Sequence, residues 1–274
     1  MPWTQARQAP LIMGVVNVTP DSFSDGGRFH DPEAAVAHAR GLIAAGADML
    51  DIGGESTRPG AQTVPEAEEI RRVVPVIEAL VGSGAILSID TRKPGVARAA
   101  VAAGATIWND VTALSQETES PAVAAELGCD VVLMHMKGSP ATMQDNPAYE
   151  DVVGEVCGFL ARRAEIALAA GVARERIALD PGIGFGKRAD HSLTLIRDLD
   201  RLVALGFPVL LGVSRKRFVR AIDPTAEDPN DRIGGSLASA LWGASKGAAA
   251  VRVHDVRETA QALAVWRAIE RGAL

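Results

Sequence analysis

Residues 86–110, ILSIDTRKPGVARAAVAAGATIWND, contain the repeating unit that decides the fold. A short apolar run, Ile86–Ile89, predicts a buried strand, and Pro94 followed by Val96–Ala103 predicts a helix that ends at a glycine. Proline in the first turn and glycine just past the last turn is the usual asymmetry of helix ends. A second apolar run, Thr106–Trp108, follows directly. This order of strand, helix and strand is typical of a parallel sheet.

The same unit recurs along the chain, which contains eight apolar runs of this kind. The predicted strands are Leu11–Val18, Met49–Gly53, Ile86–Ile89, Thr106–Trp108, Val131–Met136, Ile177–Leu179, Pro208–Val213 and Ala248–Val253. Eight parallel strands close a barrel, so the 274 residues are predicted to form one α/β domain, a (β/α)8 TIM barrel over residues 1–274. An open, doubly wound sheet is the alternative topology.

Helical stretches lie between the apolar runs. They are predicted at Ala34–Ala45, Ala67–Val81, Val96–Ala103, Asp151–Ala170, Leu237–Ala244 and Thr259–Ile269. The last two stretches are rich in Ala and Leu, and their pattern fits the core and an interface equally well. Residues 223–231 are polar, contain two prolines and are predicted to form a loop.

Composition excludes several classes of function. The formal net charge of −6 and an aromatic fraction of 4% argue against a nucleic-acid partner. No apolar run approaches the roughly 20 residues of a membrane span, and the N-terminus lacks the pattern of a secretory signal. Cys129 and Cys157 lie far apart without metal-type spacing, as is usual in a reducing compartment. We therefore expect a cytoplasmic protein with no membrane association.

Polar side chains occur where the predicted strands end. They are Asn17, Asp51, Asp90, Asn109, Asp110, His135, Asp180, Ser214, Arg215, Lys216, Arg252 and His254. Because the carboxyl ends of the strands of a parallel barrel meet at one face, we expect a polar pocket for a heteroatom-rich ligand there. The alternative for each residue taken singly is that it caps a helix or satisfies a turn.

Two loops follow the first two strands at this face. Residues 17–27 read NVTPDSFSDGG and residues 53–60 read GGESTRPG. Both are rich in Gly, Ser, Thr and Pro, with Phe23 and Arg58 as side chains of a different kind. Such loops are typical of lids that close over a substrate, and a merely solvated loop is the alternative.

Four basic residues lie near the last two predicted strands: Arg215, Lys216, Arg252 and His254. Phosphate sites in barrels often occur at these strands, and the free N–H groups of the helix that follows His254 favour an anion. The four residues therefore predict a site for a phosphorylated ligand. Solvated basic side chains are the alternative.

Eight motifs, taken together, resemble the dihydropteroate synthase family. They are NVTPDSFSDGG (17–27), DIGGESTRPGA (51–61), SIDTRKP (88–94), WNDV (108–111), LMHMKGSPATMQ (133–144), LDPGIGFGK (179–187), GVSRKRF (212–218) and RVHDV (252–256). They occur in the family's order and cover almost the whole chain. The resemblance implies a folate-pathway transferase that condenses 6-hydroxymethyl-7,8-dihydropterin diphosphate with p-aminobenzoate, releases diphosphate, forms 7,8-dihydropteroate and is a sulfonamide target.

The resemblance also implies roles for individual residues. The residues implied for the pterin are Asp90, Asn109, Met134, Asp180, Phe185, Lys216 and Arg252. Those implied for the diphosphate are Asn17, Thr57, Arg58, Arg252 and His254. Those implied for p-aminobenzoate are Phe23, Thr57, Arg58, Pro59, Phe185, Ser214 and Lys216. The residues expected to act in catalysis are Asp90, Lys216, Arg252 and His254.

The chemistry of these residue types agrees with the implied reaction. The Asp180 carboxylate suits the adjacent N–H donors of a pterin. An aryl amine is a modest nucleophile, so the enzyme gains most by helping diphosphate leave. Mg2+ held at Asn17, with Arg252 and His254 as cationic contacts, is expected to stabilise the leaving group.

The resemblance further implies a homodimer. Two alternatives remain at this point: a folate-dependent methyltransferase domain on the same barrel, and a non-catalytic paralogue. The loops at 17–27 and 53–60 are intact, and this argues against the paralogue.

Overall fold

Eight parallel strands alternate with helices in the part of the chain that the computed structural model describes, residues 2–4, 9–19, 32–56, 63–138, 143 and 146–272. The strands are β1 (Leu11–Asn17), β2 (Met49–Gly53), β3 (Ile86–Asp90), β4 (Ile107–Asp110), β5 (Asp130–Met134), β6 (Ile177–Asp180), β7 (Leu210–Leu211) and β8 (Ala250–Val253). Each of them falls on a predicted run. The largest difference is β7, which has two residues where six were expected.

The helices are α1 (Pro32–Ala44), α2 (Glu66–Leu80), α3 (Pro94–Ala103), α4 (Ser120–Leu127), α5 (Val152–Ala169), α6 (Ala189–Arg197), α7 (Leu199–Val203), α8 (Arg217–Ile222), α9 (Ile233–Ser245) and α10 (Val256–Arg271). The Asp151 side chain caps α5 by accepting a hydrogen bond of 3.0 Å from the Gly154 amide. A 3₁₀ turn, Pro229–Arg232, overlaps the end of the predicted 223–231 loop. Among the described helices, none combines the length and the apolar character needed to cross a membrane.

The strands pair in the order β6-β5-β4-β3-β2-β1-β8-β7, and the two outer strands of this order meet. A parallel bridge joins Leu179 to Val209, and the Leu179 amide donates to the Pro208 carbonyl at 2.8 Å. Pro208 has no N–H of its own to extend the ladder, which contributes to the shortness of β7. The predicted (β/α)8 barrel is therefore confirmed, and the open doubly wound sheet is wrong because its outer strands would lie apart.

The alternation of side chains along each strand divides the core into two parts. One cluster fills the barrel interior and contains Trp3, Leu11, Met13, Met49, Ile107, Val132, Ala178, Leu210 and Ala250. The neighbouring outward-facing residues, such as Leu50 and Ile89, belong to a second cluster that packs under the helices. The interior cluster, which we call the apolar floor, contains the first inward-facing residues of several strands together with Trp3.

The inward-facing positions change character two residues after the apolar floor. Met49 is followed in this way by Asp51, and Ile107 is followed by Asn109. The same step leads from Ala178 to Asp180 and from Ala250 to Arg252. The floor therefore supports a polar layer toward the carboxyl ends of the strands.

Replacement of Trp3 tests the apolar floor. Trp3→Ala is expected to lower the free energy of unfolding by about 3–5 kcal/mol, because it removes a large buried ring from a closed interior. Trp242→Ala on α9 is the matched control: this ring is 47% exposed, and its loss should cost about 1 kcal/mol or less. Urea unfolding followed by circular dichroism measures both. Equal losses would show that Trp3 does not close the floor.

Candidate active site

The carboxyl ends of the strands surround a basin of about 520 Å3, a volume that includes its open mouth. It is lined by Asp90, Asn109, Val111, Met134, Asp180, Gly182, Ile183, Phe185, Gly212, Ser214, Lys216, Arg252 and His254. Nine of these are predicted site residues, the exceptions being Val111, Gly182, Ile183 and Gly212. The fold thus brings together side chains from five strands and the loops that follow them.

The remaining predicted site residues lie on the first two strands or beyond them. Asn17 ends β1 and pairs in register with Gly53, which in turn pairs with Asp90. Asn17 therefore stands on the rim, next to the basin. The other four predicted residues lie outside the described part of the chain: Phe23, Thr57, Arg58 and Pro59.

A fully buried carboxylate, Asp51, lies behind the basin and accepts three hydrogen bonds. Arg252 Nε donates to Oδ2 at 2.6 Å, and Asn109 Nδ2 donates to the same oxygen at 2.9 Å. Ser88 Oγ donates to Oδ1 at 2.6 Å. Asp51 therefore orients two residues that line the basin. The sequence feature that could have identified Asp51 is a charged residue within the otherwise apolar strand MLDIG. The sequence predicts its place at a strand end but assigns it no role in the site.

Asp90 forms the second ion pair of Arg252. Arg252 Nη2 lies 2.8 Å from Asp90 Oδ2. Burial, and after it the negative charge of Asp51, raise the pKa of Asp90 to about 7, while Arg252 acts in the opposite direction. Burial alone would lower the pKa of Arg252, but Asp51 and Asp90 raise it, so the guanidinium stays charged. The basin therefore contains a permanent cation that two carboxylates hold in place.

Asp180 projects a carboxylate into the basin from the end of β6. Its Oδ1 accepts a hydrogen bond of 2.7 Å from the Gly182 amide. Burial raises the pKa of Asp180, while the Gly182 amide and the charge of Lys216 act against that rise. A side chain at Gly212 would begin 3.8 Å from Asp180 Oδ2, so the glycine leaves space beside this oxygen. The carboxylate is thus placed to accept from a planar ligand with adjacent donors.

Lys216 and Phe185 form one wall of the basin. Lys216 Nζ lies 4.3 Å from the centroid of the Phe185 ring, within the range of a cation–π contact. Burial lowers the pKa of Lys216 to about 8, and Asp180 opposes this shift. The wall therefore presents an aromatic face and a donor side by side.

His254 is expected from the sequence to be a cation, and the structure corrects this expectation. Its backbone N–H donates to Ser214 Oγ at 3.2 Å, and its ring Nδ1 lies 3.0 Å from the same oxygen. Ser214 Oγ therefore holds both the backbone and the ring of His254 in place. Burial, followed by the charge of Arg252, lowers the pKa of His254 to about 3. His254 is a neutral donor.

Three other polar residues predicted at this face do not line the basin. Asp110 turns back to accept from the Thr112 amide at 2.7 Å and stabilises a tight turn. His135 is buried against a neighbouring lysine. Arg215 forms an ion pair of 2.6 Å with Asp255. The predicted basic cluster therefore contributes two cations to the basin, Lys216 and Arg252.

Four lining residues were not predicted because their types carry no chemical signature. Val111 and Ile183 are apolar and supply surface. Gly182 has φ 64°, and a Cβ there would lie 2.0 Å from the His135 carbonyl oxygen. Only glycine fits this position. The glycine in the motif LDPGIGFGK is therefore the one sequence feature from which this lining residue could have been predicted.

The described residues give limited means of holding a metal ion. Among them, no group of three or more His, Cys, Asp or Glu side chains is arranged to bind one. Asn17 offers a single amide oxygen at the rim. Mg2+ retains several waters and is commonly bound through substrate phosphates with few protein ligands. This donor set fits an Mg2+ ion that a diphosphate carries with it.

Comparison with known proteins gives consistent results over the length of the chain. A family model described as pterin binding enzyme matches residues 13–254. The dihydropteroate synthase of Neisseria meningitidis serogroup B is 49% identical over 265 residues, which cover 95% of this chain and 93% of that protein. The dihydropteroate synthase of Escherichia coli K12 is 45% identical over 260 residues, which cover 94% of this chain and 91% of that protein.

Solved structures show the same likeness. Xanthomonas albilineans dihydropteroate synthase with 4-aminobenzoic acid has a TM-score of 0.90 and 52% identity, covering 96% of this chain and 93% of that one. The same enzyme in complex with 7,8-dihydropteroate has a TM-score of 0.86 and 48% identity, covering 96% and 94%. Yersinia pestis dihydropteroate synthase with a sulfonamide drug has a TM-score of 0.90 and 44% identity, covering 96% and 95%.

The titration of Lys216 predicts a particular dependence of stability on pH. Its pKa is about 8 in the folded chain, against 10.5 for an ordinary lysine. Below pH 8 Lys216 is protonated in both the folded and the unfolded chain, so the folded chain carries the full cost of burying the charge. Between these two values the folded state releases the proton first, so the free energy of unfolding rises with pH.

Urea unfolding of the wild type and of Lys216→Met, measured between about pH 7 and about pH 10, isolates this contribution. The wild type should gain stability relative to the variant as the pH rises, because the other titrating groups are common to both. Parallel stability curves across this range would show that Lys216 is not buried as a charge.

Proposed function

This chain belongs to the dihydropteroate synthase family, and we propose that it condenses 6-hydroxymethyl-7,8-dihydropterin diphosphate with p-aminobenzoate, releasing diphosphate and forming 7,8-dihydropteroate. The observation that carries the proposal is the basin, where a carboxylate, an amide, a lysine and an arginine converge between apolar walls. Family members solved with 4-aminobenzoic acid and with 7,8-dihydropteroate support the same reaction.

The pterin ring binds at the bottom of the basin, against the polar layer. Asp180 accepts from the adjacent N–H donors of the aminopyrimidinone edge, because one of its oxygens has free space and the other is held by the Gly182 amide. Lys216 donates to the ring oxygen and nitrogen. The other pterin contacts are supplied by Asp90, Asn109, Met134, Phe185 and Arg252.

The reaction breaks the bond between the pterin methylene carbon and the diphosphate oxygen and forms a bond to the aryl nitrogen. Positive charge develops at the methylene carbon as diphosphate leaves, and the Asp90 carboxylate stabilises it. Arg252 stabilises the departing anion as a permanent cation. His254 contributes a hydrogen bond from its neutral ring, and the aryl ammonium formed with the new bond gives its extra proton to water.

Mg2+ belongs to the proposal as a partner of the diphosphate, with Asn17 as its protein ligand. When bound, the ion neutralises part of the charge of the leaving group. Thr57 and Arg58 complete the proposed diphosphate contacts.

The p-aminobenzoate pocket is assigned to Phe185, Ser214 and Lys216 among the described residues. Phe23, Thr57, Arg58 and Pro59 complete it in the two long loops. Sulfonamides share the aryl amine and an anionic head, so they compete for this pocket. A family member solved with a sulfonamide drug supports the binding of such compounds.

We also assign the enzyme to the cytoplasm and propose that it assembles as a homodimer. Val265 and Ile269 lie four residues apart on one face of α10 and are 55% and 74% exposed, which supports an interface on that helix.

Turnover tests the reaction directly. Mixing the chain with the pterin diphosphate, p-aminobenzoate and Mg2+ should release diphosphate in proportion to the dihydropteroate formed. Chelation of Mg2+ with EDTA should strongly reduce the rate, since the leaving group loses its counterion. Absence of release from a folded chain under these conditions would contradict the proposed function.

Asp180→Ala tests the pterin site. The substitution removes a charge-assisted hydrogen-bonded pair and should weaken binding of the pterin diphosphate by about 2–4 kcal/mol in calorimetry. Asp130→Asn is the matched control, because Asp130 is a buried aspartate at the start of β5, at the other end of the barrel. The control should bind the pterin as the wild type does. Unchanged affinity in a folded Asp180→Ala would place the pterin elsewhere.

A further inference from the structure

Lys187 is a buried lysine behind the basin that the proposed reaction does not use. It lies between β6 and α6 and is 3% exposed. Its Nζ lies 2.8 Å from His135 Nδ1, 3.2 Å from the His135 carbonyl oxygen and 3.0 Å from the Phe185 carbonyl oxygen. Within the described part of the chain, these contacts are made to neutral acceptors.

The three contacts match the hydrogen-bonding capacity of the lysine side chain. An ammonium group has three hydrogens to donate, and two of the contacts are to backbone carbonyl oxygens, which can only accept. Burial, followed by the charge of Lys187, lowers the pKa of His135 to about 3, so its ring is neutral beside the Lys187 Nζ. Burial lowers the pKa of Lys187 to about 7, while Asp180 acts against this shift. The charge is thus held in place by hydrogen bonds.

These contacts join the end of β5 to the loop at residues 181–186. The loop is pressed against the backbone of residues 135–137 at two points. A Cβ at Gly182 would lie 2.0 Å from the His135 carbonyl oxygen, and one at Gly186 would lie 2.3 Å from the Lys137 carbonyl oxygen. The Lys187 ammonium bonds both sides of this junction, so it fixes the loop where the two backbones meet.

Phe185 is the residue of this loop whose ring lines the basin and lies against Lys216. Its amide donates to the Gly182 carbonyl at 3.1 Å, and its carbonyl accepts from Lys187. Both backbone groups of Phe185 are therefore held, which fixes the point from which its ring enters the basin.

We infer that Lys187 is a positioning residue that fixes the aromatic wall of the p-aminobenzoate pocket by holding the Phe185 backbone against the end of β5. The inference rests on the proposed function, which assigns Phe185 to that pocket. Lys187 does not line the basin, so its effect on the reaction passes through Phe185.

Lys187→Met is the first test, because it keeps the apolar stem and removes all three donors. The KM for p-aminobenzoate should rise about tenfold or more, as expected for loss of charge-assisted hydrogen bonds, while kcat changes less. The same substitution in a Phe185→Leu background should raise this KM about twofold or less, since the ring it positions is gone. An equal effect in both backgrounds would show a general structural role and overturn the inference.

Amide hydrogen exchange provides a readout that does not require turnover. Lys187→Met should accelerate exchange in residues 182–186 and leave β1–β4 unchanged. His135→Leu, which removes one acceptor, should have a smaller effect in the same direction and serves if Lys187→Met fails to fold. His135→Asn, which offers an amide oxygen near the position of Nδ1, should restore protection.

The two proposals fail in different ways. If the wild type releases no diphosphate, the proposed function is wrong, while exchange in residues 182–186 still decides the role of Lys187. If the wild type turns over but Lys187→Met leaves both the KM for p-aminobenzoate and the exchange unchanged, the positioning role is wrong and the proposed function stands.

Discussion

The Asp51 carboxylate is shielded from water, and the arrangement of the basin depends on how its charge is compensated. An unpaired buried charge is strongly unfavourable, so the chain must bring partners to it. Those partners come from three other strands: Ser88 on β3, Asn109 on β4 and Arg252 on β8. Four strands are thereby joined at one point inside the barrel. Arg252 and Asn109 then have little freedom to move before a ligand arrives, which is the kind of preorganisation that binding and catalysis require.

The basin exists because the barrel interior has two layers of opposite character. The apolar floor fills the space at the amino ends of the strands with large and small side chains, and the polar layer begins two residues later on the same strands. The floor contributes stability through burial, whereas the polar layer contains groups whose burial raises the pKa of a carboxyl and lowers that of a lysine. Because the apolar floor supplies the stability, the barrel stays closed although the polar layer buries ionisable groups at an energetic cost.

Much of this arrangement could be predicted from the sequence, because strand–helix periodicity and helix punctuation are local signals. The eight runs and most of the basin's polar residues follow from them. The prediction failed where it placed two consecutive residues at a strand end in the same pocket. Alternation separates them: Asn109 faces the basin and Asp110 does not, while Met134 faces it and His135 does not.

Other features depend on tertiary structure and could not be predicted in this way. Arg215 lies beyond the end of β7, has φ 57°, and finds its partner Asp255 forty residues later. The pKa of His254 is lowered by burial first, and then by cations that only the fold brings near it. The role of Asp51 is visible only when its three partners are in place. Local sequence patterns therefore locate most residues of the site, whereas interactions between residues distant in sequence set their charge and orientation.

On the proposed function, Asp51 holds the pterin site together without touching the ligand, and binding of the pterin diphosphate to Asp51→Asn tests this role most directly. The substitution keeps the shape of the side chain but leaves Arg252 with one carboxylate in place of two. Calorimetry on the folded variant should show affinity reduced by about tenfold or more, in line with the loss of a charge-assisted hydrogen bond. Affinity equal to that of the wild type would contradict the account.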